Sequence, residues 1–298
     1  MNSGILSSFS IKDLENLSGI KSHTIRMWEK RYAVLSPMRT ESNIRYYDSA
    51  NLQKLLNITL LHQHGYKISQ ISKMSEEKLG LLLRQIISEK SVKHHAVNGF
   101  KMAMMNFDQT LFINTYNALL TEKSFSEVFH QVFIPLMVEI GMLWQTDTIT
   151  PAHEHFISYL IRQKILTSIE KVQVLGHKRE DKVFVLFLPY NELHDIGLMY
   201  LHYEIMLNGY KSIYLGESVP MQSLRDVKQL FSNIVYVSYF TVEPKVENLS
   251  DFMEQFNQEV MGADSAFWVL GKMASSIKSL PNPRMRTFGT IAELVNEL

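Results

Sequence analysis

The stretch IKDLENLSGIKSHTIRMWEKRY, residues 11–32, holds two short helical patterns around one glycine. Ser10 and Asp13 stand at capping-box spacing, which starts a helix that buries Leu14 and Leu17. Gly19 makes the turn. Ser22 is placed to cap a second helix over residues 23–31, which buries Ile25 and Trp28. Thr24, Arg26, Lys30 and Arg31 then face outward. A short helix, a glycine turn and a second helix with a basic outer face make the shape of a DNA-reading helix-turn-helix.

Working outward, residues 36–47 (SPMRTESNIRYY) read as a turn and a short strand. A basic hairpin carrying Arg39, Arg45 and Tyr47 beside the second helix would serve as a wing on the phosphate backbone. Residues 1–75 hold ten Lys/Arg against five Asp/Glu, a local charge of +5 on a chain whose net charge is zero. That segment suits an anionic partner such as nucleic acid. The whole stretch from about residue 9 to 75 resembles the MerR regulators, including their R-x-W-E-x-R-Y core at Arg26, Trp28, Glu29, Arg31 and Tyr32. The resemblance implies a winged helix-turn-helix that contacts double-stranded DNA through Thr24, Arg26, Lys30, Arg31, Arg39, Arg45 and Tyr47. It also implies a homodimer on an inverted-repeat operator. Asn43 stands where the family usually has glycine, and asparagine tolerates left-handed backbone better than other side chains.

Residues 76–175 read as long amphipathic helices, with Val132, Leu136, Ile140 and Leu143 at helical spacing and Pro135 set to kink that helix. Thr150 followed by Pro151 is a helix start. Several such helices make a small bundle. Beyond residue 181 the pattern changes to strands over 183–189, 212–216, 234–240, 266–271 and 285–289, with helices between them over 197–208 and 221–231. Alternating apolar strands and helices predict a doubly wound parallel sheet. Its ligands bind at the carboxyl ends of the strands, here 191–197, 216–218, 238–241 and 271–272. The expected architecture is therefore multi-domain. It comprises a MerR-type winged helix-turn-helix (1–76), a helical bundle (77–178) and a C-terminal α/β doubly wound parallel sheet (179–298).

Directly after the first of these strands comes Glu192-Leu193-His194-Asp195-Ile196-Gly197. A histidine on this loop can point away from the sheet as a metal ligand, and a carboxylate two residues earlier can fix its tautomer. Gly197 lets the backbone pass close to a bulky ligand. The loop resembles the D-x-H-x-x-G motif of cobalamin-binding domains, with Glu192 in place of the aspartate. The resemblance implies a Rossmann-like cobalamin domain in which His194 replaces the cofactor's own base below cobalt. It extends to Ser238, and to Gly271 followed by Lys272 instead of a second glycine. In the bundle, Trp144 is followed after nine residues by Glu154-His155. That spacing resembles the cap of the adenosylcobalamin-dependent, light-sensing MerR repressors of carotenoid genes, and implies that Trp144, Glu154 and His155 cover the upper face of adenosylcobalamin. Cofactor-binding residues are thus expected at His194, Glu192, Asp195, Gly197, Trp144, Glu154, His155, Ser238 and Gly271. Gln145 stands where some photoreceptors of this group carry a histidine. The same resemblance implies dimers that can pair into homotetramers.

The remaining histidines, His94 among them, show no ligand spacing and read as surface or core residues. The chain has no cysteine, which excludes disulfides and thiolate metal sites. The N-terminus lacks a basic stretch followed by an apolar one, and the longest purely apolar run is 183–188, so neither a leader nor a membrane span is expected and a cytoplasmic location is. The expected function is a non-enzymatic transcription regulator, a repressor whose oligomerisation and operator binding respond to cobalamin and to light. Two alternatives stand beside it: a MerR-type regulator whose cobalamin-like domain binds no cofactor and serves protein interaction, and a cobalamin-dependent methyltransferase-type enzyme.

Overall fold

Ser10 opens the first helix as its spacing requires. Its hydroxyl accepts the Asp13 N–H at 3.1 Å, and the Asp13 carboxylate accepts the Ser10 N–H at 2.7 Å. In the computed structural model, which describes residues 8–86 and 92–298 (side chains excepted at 76, 83–86 and 92–94), this helix is α1, Ile11–Ser18. Gly19 ends it at φ 73°, a left-handed conformation that suits glycine. The second helix, α2, spans Ser22–Tyr32 and buries Ile25 and Trp28. Ser22 is not its cap. Lys21 takes that position, and the Ser22 hydroxyl donates instead to Glu15 at 2.6 Å, joining α2 to α1.

The wing follows. Strands β1 (Met38–Arg39) and β2 (Arg45–Tyr46) pair antiparallel, and Asn43 in the connecting turn sits at φ 63°. Helices α3 (Ser49–Gln63), α4 (Ile68–Ile71) and α5 (Glu76–Ile86) come next. The bundle is built from α6 (Val92–Asn106), α7 (Gln109–Leu120), α8 (Phe125–Val128), α9 (Ile134–Gln145) and α10 (Pro151–Gln173). Phe100, Phe112 and Phe133 are buried together, with Phe100 ring centroids 4.8 Å from Phe112 and 5.4 Å from Phe133.

Pro135 acts differently from the kink expected of it. Between α8 and α9 the chain widens into a π-helical turn, Phe129–Phe133, closed by the Ile134 N–H on the Phe129 carbonyl. Proline has no N–H to give the carbonyl four residues back and its ring crowds that carbonyl, so the ladder shifts by one residue rather than breaking. The helical run Phe125–Gln145 is consequently continuous, and it is long and apolar enough to cross a membrane by length and composition. No uninterrupted apolar run marks it, because Glu127, His130, Gln131 and Glu139 break up the stretch. Its inward residues Val128, Val132, Leu136, Ile140 and Leu143 are buried within the protein.

The described residues form two compact units that divide between Leu160 and Ile161. The second contains a five-stranded parallel sheet of β3 (Arg179–Phe187), β4 (Tyr210–Gly216), β5 (Ile234–Tyr239), β6 (Ala266–Leu270) and β7 (Met285–Thr287), in the order β4-β3-β5-β6-β7. β3 starts four residues before the apolar run, because Arg179 pairs with Tyr210 ahead of a register shift. Helix α11 (Ile196–Leu207) packs on α14 (Ile291–Val295), and α12 (Met221–Lys228) on α13 (Leu249–Glu259). The chain leaves β3 for β4 on one side and returns to β5 on the other. That reversal is a topological switch point, and the loops after β3 and β5 flank the crevice it creates.

Candidate functional site

Burial of Ile25 and Trp28 turns the opposite side of α2 to solvent, where Arg26, Lys30 and Arg31 are exposed and Thr24 is half-buried. In the wing, Arg39 is exposed, and its guanidinium donates to the Asn43 carbonyl at 3.3 Å and to the Asn43 side-chain oxygen at 2.7 Å. Arg45 is half-buried with its Nε 3.5 Å from Glu29. Tyr47 departs from the expectation of a DNA contact. It is fully buried, and its hydroxyl donates to Glu29 at 2.5 Å. Burial, reinforced by that bond, pushes its hydroxyl pKa up. Tyr47 is therefore a brace: Glu29 of α2 holds both Tyr47 and Arg45 and so fixes the wing to the helix beside it.

The second candidate region lies at the switch point. The loop after β3 turns through Asn191 at φ 67° and buries Glu192. One Glu192 carboxylate oxygen accepts the N–H groups of Leu193 (2.9 Å) and His194 (3.0 Å) and faces His194 Nδ1 at 2.6 Å. The other accepts three consecutive N–H groups from the loop after β5: Thr241 at 3.1 Å, Val242 at 2.6 Å and Glu243 at 2.9 Å. Burial alone would favour the neutral acid. The bonds from His194 and from the Glu243, Val242 and His194 backbones prevail and hold the carboxyl at about 2. A permanent anion at Nδ1 favours the tautomer that carries its proton there, so a metal would be met by Nε2. The His194 side chain is 61% exposed, enough for a large ligand to reach it.

Asp195 is buried beside it, accepting from Arg162 Nη2 at 2.6 Å and from the Tyr214 hydroxyl at 3.4 Å. Glu217 stands 3.5 Å from the same arginine, and burial and the Asp195 charge raise its pKa. At Gly197 any Cβ would lie 2.8 Å from the Tyr239 ring. At Gly271, with φ 99°, it would lie 2.3 Å from the Phe240 carbonyl oxygen, so only glycine fits. Ser238 is buried and its hydroxyl donates to the Phe187 carbonyl at 2.8 Å. Arg162, Tyr214, Val242 and Glu243 were not singled out by the sequence. Arg162 sits more than thirty residues away on α10, and backbone N–H donors carry no side-chain signature.

On the bundle, Trp144 occupies the last turn of α9 and is 47% exposed, so it is not a core aromatic. Glu154, in the first turn of α10, accepts from the Ser158 hydroxyl at 2.7 Å and stands 3.0 Å from His155 Nδ1. The His155 side chain is 79% exposed. His94 lies outside the residues whose side chains are described.

Among the described residues no three His, Asp or Glu side chains converge as a metal site. Tyr190, Leu193 and Val242, on the loops after β3 and β5, are exposed apolar residues. An oriented imidazole among exposed apolar side chains fits a flat, largely apolar macrocycle with a coordinating centre.

Comparison with known proteins finds matches to the head and to the bundle. Residues 9–78 match the MerR HTH family regulatory protein model, and residues 96–166, within α6–α10, match a B12 binding domain. The chain is 27% identical over 277 residues to the HTH-type transcriptional repressor CarH of Myxococcus xanthus, covering 90% of each chain. It is 22% identical over 233 residues to the HTH-type transcriptional repressor CarA of the same organism, covering 77% of this chain and 75% of that one. In fold, 69% of the chain superposes on 97% of the Methanosarcina barkeri monomethylamine corrinoid protein with a TM-score of 0.58 at 14% identity.

Proposed function

Because this chain is a MerR-type DNA-binding regulator joined to a B12-binding domain, we propose that it is a repressor whose hold on DNA is set by adenosylcobalamin bound at His194. The observation that carries the cofactor assignment is the Glu192–His194 pair at the switch point. His194 would hold the cobalt through Nε2, with its tautomer set by Glu192, and Trp144, Glu154 and His155 would meet the adenosyl group. Asp195, Gly197, Ser238 and Gly271 shape the rest of the crevice. When bound, the cofactor supplies a cobalt–carbon bond that light can break.

A ligand shifts an equilibrium only through contacts it makes differently in the two states. A bound cofactor that touched Trp144, Glu154 and His155 differently in two states would shift the balance between them, and with it the hold on DNA. In this reading the chain divides into 1–76, 77–178 and 179–298, acts in the cytoplasm, binds an inverted-repeat operator as a dimer or tetramer, and catalyses no reaction. Arg26, Lys30 and Arg31 of α2 and Arg39 and Arg45 of the wing face the operator, with Thr24 beside them.

The test is an absorption spectrum of the purified chain with adenosylcobalamin in darkness and after illumination, alongside His194→Ala and an operator-binding assay. The parent should hold the cofactor with its own base displaced and lose operator affinity on illumination. His194→Ala should lose the base-displaced spectrum. A variant that keeps the parent's spectrum and light response would overturn the ligand assignment. A parent that binds DNA but no cobalamin would leave a cofactor-free regulator.

A further inference from the structure

Lys101 of α6 is 6% exposed, an unusual depth for an ammonium group. Its Nζ donates to the Leu17 carbonyl at 3.1 Å and to the Glu139 carboxylate of α9 at 2.7 Å. Leu17 lies in the last turn of α1, where backbone carbonyls lack helical partners and a cation is favoured. A residue of the bundle thus completes the end of a DNA-head helix. An apolar contact would hold the two as firmly, since a buried ion pair is a weak source of stability. What the charged contact adds is one defined arrangement.

Two further bonds join the same parts of this unit. The Asn16 amide, one residue before Leu17, donates to the Thr148 hydroxyl at 2.8 Å. Thr148 belongs to the turn between α9 and α10. Its hydroxyl is 3.0 Å from that of Thr146, which donates to the Met142 carbonyl at 3.0 Å. On the other side, the hydroxyl of Ser49, first residue of α3, donates to Asn106 at 2.7 Å. The next residue, Phe107, stacks on His153 of α10 with ring centroids 4.7 Å apart. The turn touched by Asn16 is bracketed by Trp144 before it and Glu154-His155 after it. Beside the joint runs a groove of about 480 Å³, of mixed polar and apolar lining, to which Glu15, Asn16, Lys21, Lys101, Glu139 and Thr146 contribute. Discrete polar bonds along a groove of this size leave room for the two sides to shift.

We propose that the α9–α10 turn, Lys101 and the end of α1 form a coupling joint, which passes the state of the Trp144 and Glu154-His155 region to the DNA-reading head. The role of that region as a cofactor cap rests on the function proposed above. The joint itself does not, because coupling between two sites is reciprocal. DNA bound at the head must therefore be felt at the turn.

The experiment is hydrogen exchange of the full chain, with and without a DNA duplex selected by the chain from random sequence, read at residues 144–150. Adenosylcobalamin absorbance is recorded on the same preparations. In the parent, DNA should slow exchange at the turn roughly fivefold or more. In Asn16→Ala combined with Thr148→Val, and in Lys101→Met, DNA should still bind but exchange at the turn should change by less than about twofold, below the usual range of coupling. If Lys101→Met fails to fold, the Asn16/Thr148 pair, whose bond is only part-buried, carries the test alone. A parent whose turn ignores DNA, or variants that respond as the parent does, would overturn the joint. Failure of the chain to bind cobalamin would overturn the cofactor reading and leave the DNA-side result to decide the joint.

Discussion

His202 shows how far a single residue's environment departs from what its identity suggests. It lies in α11, whose residues 198–205 are all buried, and its Nδ1 is 2.7 Å from the Ser212 hydroxyl. Burial pushes its pKa down to about 4. The unfolded chain takes up this proton near the ordinary value of 6.5, so between pH 6.5 and about 4 the unfolded state binds more protons than the folded one. Stability is therefore full above the unfolded value and falls as pH drops through that window, by at most about 3 kcal/mol for this group. His153, also lowered by burial, acts with the same sign. Urea denaturation at pH 7, 6, 5 and 4.5 should show the decline, and His202→Gln should flatten it. Equal slopes for the two would mean that His202 is protonated in the folded chain. At the candidate site, the loop motif from Glu192 to Gly197 was legible because its residues are adjacent. The three backbone donors on the other side of Glu192 were not, because they come 49 to 51 residues later. Tyr47 was misread for a related reason. A tyrosine among arginines looks like a DNA contact until Glu29, eighteen residues earlier, is seen to claim its hydroxyl.

Among the elements, the wing depends on one unusual backbone position. Asn43 at φ 63° reverses the chain between β1 and β2, with the Thr40 N–H donating to the Ile44 carbonyl at 2.9 Å. Its side chain also holds Arg39 at 2.7 Å. Asn43→Val puts a β-branched residue into left-handed backbone, which costs about 1–2 kcal/mol, and releases Arg39. Asn43→Gly relieves the backbone and loses only the side-chain bond. Measured by urea denaturation and duplex binding of the full chain, the valine variant should be clearly weaker in both, and the glycine variant close to the parent in stability. Equal stability of valine and parent would contradict the left-handed assignment. This element was readable because family glycine and observed asparagine share one conformational property. The parallel strands were readable from their apolar runs, to within a few residues. The π-helical turn before Pro135 was not. The sequence reveals that proline withholds a hydrogen bond, but a helix can answer by bending or by widening, and the choice rests on tertiary packing that one position does not spell out; here the widened turn buries Phe129 and Phe133.

The molecule as a whole carries no net charge, yet residues 1–75 carry +5 and the remainder the balancing negative charge. Long-range attraction to DNA is therefore weak for the entire chain, and its affinity must come from contacts made locally by the head. Each phosphate neutralised by a cation releases counterions, which lowers the logarithm of affinity by roughly 0.9 per tenfold rise in salt. Arg26, Lys30, Arg31 and Arg39 are the exposed cations of α2 and the wing, whereas Arg45 is half-buried and shares its charge with Glu29. One head making four such contacts should give a slope near roughly −4, and two heads on an inverted repeat a slope near roughly −7. The slope thus counts heads on DNA. Fluorescence anisotropy with a selected duplex between 50 and 300 mM salt, about the range in which such slopes are resolved, reads it directly. Arg39→Ala should make the slope shallower by about one for each head bound, and by the same amount on unrelated duplexes, because a phosphate contact carries no sequence information. Affinity that ignores salt would show that this basic face does not meet the phosphates. A slope near −4 that stays there as the site is extended to an inverted repeat would show that a single head binds, against the dimer proposed here.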